Sequence, residues 1–209
     1  MARRSSSRHS DSRRPDRPER LDRPARTPEE KGLEMEIDLR KPIVGVVMGS
    51  DSDLPIVEKC LVTLEEFDIP YDVRVMSAHR TPDRVYAYAS TARLKGFKVL
   101  IAAAGGAAHL AGVLSSLTTL PVIGIPIQTP TLGGADSLYS TVQMPAGVPV
   151  ATVAIGEAGA KNAALLAAEI LALSDDALQA RLQEYRAAMR RSVASKSARL
   201  RQRVFEQSQ

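Results

Sequence analysis

A single cysteine, Cys60, is the one thiol in the sequence, so no disulfide can form within the chain. The fold is therefore expected not to depend on an oxidising compartment. Cys60 falls within an apolar helical pattern and reads as a small buried hydrophobe rather than a reactive thiol. Tryptophan is absent and aromatic residues make up only 4% of the 209 residues, so the core must come from Val, Ile, Leu and Ala. No apolar run reaches the ~18 residues of a membrane span. The N-terminus also lacks the apolar stretch of a signal peptide, and a cytoplasmic location is expected. Only three histidines occur, His9, His79 and His109, and with Cys60 they form no spacing typical of a metal site. Neither a Gly-x-Gly-x-x-Gly dinucleotide turn nor a Gly-Lys-Ser/Thr phosphate loop occurs, and there is no Gly-x-Ser-x-Gly nucleophile elbow.

What is present divides sharply. The net charge of +4 and the pI near 9.4 owe much to the first thirty residues. That stretch holds nine arginines and six acids, with four prolines and five serines. Such a composition cannot bury apolar surface, so residues 1–40 are expected to form a disordered, solvated tail. A weak nucleic-acid-binding arm is the alternative; no nucleic-acid partner is expected for the rest of the chain.

From Pro42 onward the pattern changes. Short apolar runs at Ile43–Met48, Tyr71–Met76, Val99–Ala103, Val122–Pro126 and Val150–Ile155 are strand-length. Helical spacings lie between them: Leu54 to Phe67, Thr81 to about Leu94, Leu110 to Leu117, and Ala158 to Leu173. Ser52 or Asp53 can cap the first of these helices, and Thr81 the second. Residues 127–149 read as a long loop with a helical piece around Leu138–Gln143, and loops of that length are usually functional. This alternation predicts a three-layer α/β domain with a doubly wound parallel sheet of about five strands. A last helix, Asp175 to about Arg203, carries an apolar stripe of Leu178, Leu182, Tyr185, Met189 and Val193. That stripe requires cover from its own domain or from another subunit. The expected organisation is thus a tail at 1–40, one catalytic domain at 41–203, and a short tail at 204–209.

Ligands in such sheets bind beyond the carboxyl ends of the strands, which directs attention to three loops. Gly49-Ser50-Asp51-Ser52-Asp53 offers a tight turn, two hydroxyls and a helix N-terminus suited to phosphate. Its carboxylates repel phosphate and suit sugar hydroxyls instead. Plain helix capping explains the same residues, and both readings stand. Ser77-Ala78-His79-Arg80-Thr81-Pro82 sets a proton carrier beside a phosphate-binding side chain. A surface His-Arg pair in a capped turn is the plain alternative. Ala104-Gly105-Gly106-Ala107-Ala108-His109 lets a ligand lie against backbone, and there a buried structural histidine is the alternative reading. From the residues alone, a metal-free enzyme with a phosphate site and histidine proton transfer follows.

Taken in order, Gly49-Ser50-x-Ser52-Asp53, Ser77-Ala78-His79-Arg80-Thr81-Pro82, Gly105-Gly106-Ala107-Ala108-His109-Leu110, Asp136-Ser137-Leu138-Tyr139-Ser140-x-x-Gln143-Met144-Pro145 and Ala163-Ala164-Leu165-Leu166-Ala167-Ala168 closely resemble the bacterial N5-carboxyaminoimidazole ribonucleotide mutases of purine biosynthesis. The resemblance spans about Pro42 to Leu173. It implies a flavodoxin-like domain assembled as a homo-octamer, with no metal, no organic cofactor and no membrane partner. It also implies that N5-carboxyaminoimidazole ribonucleotide is converted to 4-carboxy-5-aminoimidazole ribonucleotide through retained CO2, with His79 as general acid/base. Ser50, Asp53 and Arg80 match substrate-binding positions, with Ser77 and His109 as neighbours. Tyr139, Gln143 and Met144 would lie in the loop that covers the ring. Two departures stand out: Ala103 and Ala111 replace the Gly and Pro usual in the family. A positive φ at Ala103 would strain the turn. A direct aminoimidazole ribonucleotide carboxylase would carry Lys in place of Arg80 and lack Gly-Gly-Ala-Ala-His. A non-catalytic nucleotide binder would have no use for His79.

Overall fold

Five apolar runs become five parallel strands. In the computed structural model, which describes residues 41–207, these are β1 (Val44–Met48), β2 (Tyr71–Val75), β3 (Val99–Ala104), β4 (Val122–Pro126) and β5 (Ala151–Thr152). The helices are α1 (Leu54–Glu66), α2 (Pro82–Ala92), α3 (Leu110–Leu117), α4 (Ala135–Val142), α5 (Glu157–Leu171) and α6 (Asp176–Glu206). The Arg-rich segment 1–40 lies outside the described residues, as do 208–209.

The strand order is β2-β1-β3-β4-β5, all parallel. This is the flavodoxin-like, doubly wound order, in which the winding direction reverses between β1 and β3. Both faces are covered, so the central strands read as continuous apolar runs. Val44, Val46 and Met48 of β1 pack with Val57, Cys60 and Leu64 of α1 and with the alanines of α5. Val47 turns to the opposite face and joins Val85 and Tyr88 of α2 and Leu114 of α3. Small Ala160, Ala163, Ala164, Ala167 and Ala168 let α5 lie close to the sheet. Cys60 is fully buried in this core, and burial pushes its thiol up to about 12, so it stays un-ionised.

Several boundaries differ from the sequence expectations. The fifth strand shrinks to two residues at the sheet edge. Beyond it, Val153 and Gly156 still donate to Gly124 and Pro126, but these contacts form no regular ladder. The short helix of the long loop begins three residues early, because Gly134, at φ 95°, turns the chain into it. The last helix continues to Glu206. Its apolar stripe splits in two. Leu178 and Leu182 are buried in the main core, and Tyr185 meets Phe67 edge-on with ring centroids 5.5 Å apart. Met189 and Val193 are 46% and 66% exposed. Among the described residues no helix is long and apolar enough to cross a membrane.

Candidate active site

The carboxyl ends of β1, β2 and β3 lie side by side, and their three loops converge at the reversal of the sheet. The Gly49 N–H bonds the Ala103 carbonyl at 3.0 Å, which anchors the first loop to β3. Ser50 is extended, at φ −151° and ψ 153°, and its Oγ accepts from the Ser52 N–H. Ser52 Oγ in turn donates to Ser50 Oγ at 2.9 Å. Capping of the 3-10 turn at Asp51–Asp53 is thus performed by Ser50, not by Ser52 or Asp53. Asp53 holds the position before α1 in helical geometry, φ −83° and ψ −12°, and makes no capping bond. An N-cap side chain reaches the next turn's N–H from extended backbone, which Asp53 does not have. Asp53 as a whole is 8% exposed. Burial raises its pKa above the ordinary carboxylate value, against the pull of hydrogen bonds from Ser50 and Ser52.

The second loop is cinched on itself. Thr81 stands before α2, but its hydroxyl makes no helix cap. Instead it accepts from the Ser77 N–H at 3.0 Å and donates to the Ser77 carbonyl at 3.1 Å. Ser77 Oγ accepts from the Arg80 N–H at 3.2 Å. These bonds aim His79 and Arg80 outward, and both are exposed. Arg80 Nη2 donates to the Gly49 carbonyl at 2.9 Å and ties the second loop to the first. The remaining guanidinium donors can reach a ligand over the first loop.

In the third loop Gly106 takes a left-handed φ of 68°. Ala108 and His109 N–H groups then close two tight bonds, to Gly106 and Ala107 carbonyls, each 2.8 Å. Ala103 has no positive φ: Asp68 is the one non-glycine residue with that geometry among the described residues. Ala103 lies instead in β3, paired with Met48 and Ile125 and buried. The feared strain is therefore absent, because the reversal falls on Gly106. Ala111 sits in the first turn of α3, buried against the α2/α3 core.

His79 Nε2 and His109 Nδ1 are 2.8 Å apart, with the rings edge to face at 81°. His109 is exposed and is not the buried structural histidine that its position allowed. In a neutral pair one ring donates and the other accepts. The two outer nitrogens, His79 Nδ1 and His109 Nε2, must then differ: one carries a proton, the other a lone pair. When the bare outer nitrogen takes up a proton, one proton crosses the 2.8 Å contact and the other outer nitrogen releases its own, those roles are exchanged. The pair can therefore both give and take a proton on the side facing the loops.

Two residues of α4 have site contacts that residue-type reasoning did not single out. Ser137, fully buried, accepts from the Gly106 N–H at 2.9 Å and donates to the Ile127 carbonyl at 2.7 Å. Ser140 shares its proton between the Asp136 carbonyl at 2.7 Å and the Gly106 carbonyl at 3.2 Å. Their spacing of three, on one face of a short helix inside a long loop, was the available signal. Tyr139 and Gln143 are exposed, whereas Met144 is partly buried against α3. Among the described residues no three His, Cys, Asp or Glu side chains gather as a metal site would need.

Comparison with known proteins places this geometry. Residues 43–192 match the family described as AIR carboxylase. The chain is 53% identical over 166 residues to an N5-carboxyaminoimidazole ribonucleotide mutase of Pyrococcus horikoshii, covering 79% of this chain and 93% of the relative. It is 61% identical over 133 residues to a protein of the same name in Aquifex aeolicus, covering 64% of this chain and 78% of that one. Among solved structures, Treponema denticola PurE superposes with a TM-score of 0.70 at 32% identity, over 76% of this chain and 98% of that one.

Proposed function

Because the chain belongs to the AIR carboxylase family, we propose that it converts N5-carboxyaminoimidazole ribonucleotide to 4-carboxy-5-aminoimidazole ribonucleotide in purine synthesis. The carrying observation is the His79–His109 contact of 2.8 Å, set within one loop cluster with Arg80 and Asp53.

The reaction is an isomerisation, so atoms and electrons balance without a co-reactant. The carbamate N–C bond breaks, its electron pair stays on nitrogen, and CO2 is released into the site. His79 supplies the proton that nitrogen takes up. C4 of the aminoimidazole then attacks the retained CO2, and His79 removes the C4 proton. One proton leaves the imidazole and one returns, so His79 ends the cycle as it began. Arg80 and Ser50 hold the phosphate, with charge-assisted donors from the guanidinium. Asp53 accepts from ribose hydroxyls; Ser77 and His109 complete the surroundings. Small residues at 104–108 leave room for CO2 against backbone. No cofactor and no metal enter the scheme.

With this role goes a cytoplasmic homo-octamer whose ligand is a small ribonucleotide, not nucleic acid or membrane. Exposed Met189, Val193, Leu200 and Phe205 on the second half of α6 support self-association.

The test is turnover of purified protein on the carbamate substrate with no added bicarbonate, metal or ATP. Isomerisation is expected. Product that forms only from aminoimidazole ribonucleotide at high bicarbonate would identify a direct carboxylase instead.

A further inference from the structure

His109 lies between two points held by one distant stretch of chain. Three residues before it, Gly106 is gripped on both sides of its own backbone: Ser137 takes its N–H at 2.9 Å and Ser140 reaches its carbonyl at 3.2 Å. Three residues after it, Gly112 faces Met144 so closely that a Cβ there would lie 2.9 Å from Sδ and 3.2 Å from Cε. Ser137, Ser140 and Met144 belong to one continuous segment. Its base is fixed independently, through Ser137 to the Ile127 carbonyl at 2.7 Å and Asp136 to the Thr129 hydroxyl at 2.8 Å. Among the described residues the Ser137 and Ser140 bonds are the long-range side-chain hydrogen bonds at the Gly106 reversal, and Gly106, without a side chain, takes a left-handed φ that it can also leave at little cost.

We infer that residues 137–144 form a clamp that sets the position of His109, and through the His79–His109 bond the orientation of the proton-transferring imidazole. Ser137, Ser140 and Met144 act as positioning residues through the Gly106 turn and α3, which they touch. The inference rests on the function proposed above, and it makes the long loop part of the proton-transfer apparatus rather than a cover alone. Misplacement by a fraction of an ångström is enough to slow proton transfer, because transfer demands a close and aligned approach. The phosphate and ribose contacts lie on the first two loops and are untouched by the clamp.

Gly112→Ala gives the sharpest test. It adds a methyl that pushes Met144, a flexible side-chain end, out of its seat, while alanine strengthens the helix itself. The clamp predicts a kcat at least tenfold lower, a KM within twofold of the original, and a melting temperature that does not fall. Ser140→Ala should lower kcat in the same way, and Ser140→Thr, which keeps the hydroxyl, should recover most of it. A second readout needs no turnover. With three histidines in the chain, the imidazole 15N resonances of His79 and His109 can be assigned by single replacements. Both should move in Gly112→Ala and in Ser140→Ala. Unchanged kcat and unmoved resonances overturn the clamp. Should wild-type protein fail to turn over the carbamate, the functional reading falls, and the resonances still decide whether 137–144 positions His109.

Discussion

Asp53 and Asp175 both stand immediately before a helix, yet only one of them caps it. Asp175, at the start of α6, is extended at φ −142° and ψ 97°, and its Oδ1 accepts from the Leu178 N–H at 2.9 Å. Asp53, at the start of α1, is helical and bonds no backbone N–H of that helix. It is also buried and carries a raised pKa, so its charge costs the folded state something. The same residue type in the same formal position thus serves the fold at one place and forgoes that service at another. Thr81 and His109 repeat the pattern of Asp53: each precedes a helix at the site and neither caps it. At these helix starts the side chains bond within or between the loops instead of capping: Asp53 with Ser52, Thr81 with Ser77, and His109 with His79. Stability given up at a functional site is a common exchange.

Variants should therefore divide by place. Site variants lose turnover and keep or gain stability, and Asp175 variants do the reverse. The largest effect is expected for His79→Asn. Asparagine cannot shuttle a proton, so kcat should fall ~10³-fold, with ribonucleotide affinity retained in a direct binding measurement. Retained turnover would remove His79 from its role.

Arg80→Ala comes next. Losing a charge-assisted contact of ~2–3 kcal/mol should weaken ribonucleotide binding about hundredfold. The variant should also lose its preference for the phosphorylated substrate over the nucleoside, as measured by calorimetry.

Asp53→Asn should weaken binding by roughly tenfold, the loss of an ionised acceptor for ribose, and raise the melting temperature at neutral pH. The sign follows from the raised pKa. The folded state holds the proton more tightly than the unfolded state. Stability from this group is thus highest below the ordinary carboxylate pKa and declines as pH rises through the raised value. Wild type should show that decline between acid and neutral pH, and Asp53→Asn should lack it. A lower melting temperature in the variant would mean that Asp53 serves the fold after all.

The smallest effect belongs to Asp175→Ala. Removal of the cap should cost ~1 kcal/mol and lower the melting temperature by about 2–4 °C, with kcat unchanged.

The sequence by itself determined the elements of this fold and the residues that merit attention. Alternating strand-length and helix-length patterns identified all five strands and all the main helices, since those periodicities are local properties of the chain. Gly49–Asp53, Ser77–Pro82 and Gly105–His109 stood out for the same reason, as loops next to legible strands. Local pattern failed where geometry depended on neighbours: Thr81 as a cap, the extent of β5, the conformation at Ala103. Only the tertiary structure decided which side chains meet. His79 reaches His109 across 30 residues, Arg80 reaches Gly49 across 31, and Ser137 and Ser140 reach Gly106 across 31 and 34. Each of these contacts joins different loops, and which loops are neighbours follows from the order β2-β1-β3-β4-β5. That order is set by how whole helices and strands pack on one another, and no single stretch of the chain contains it.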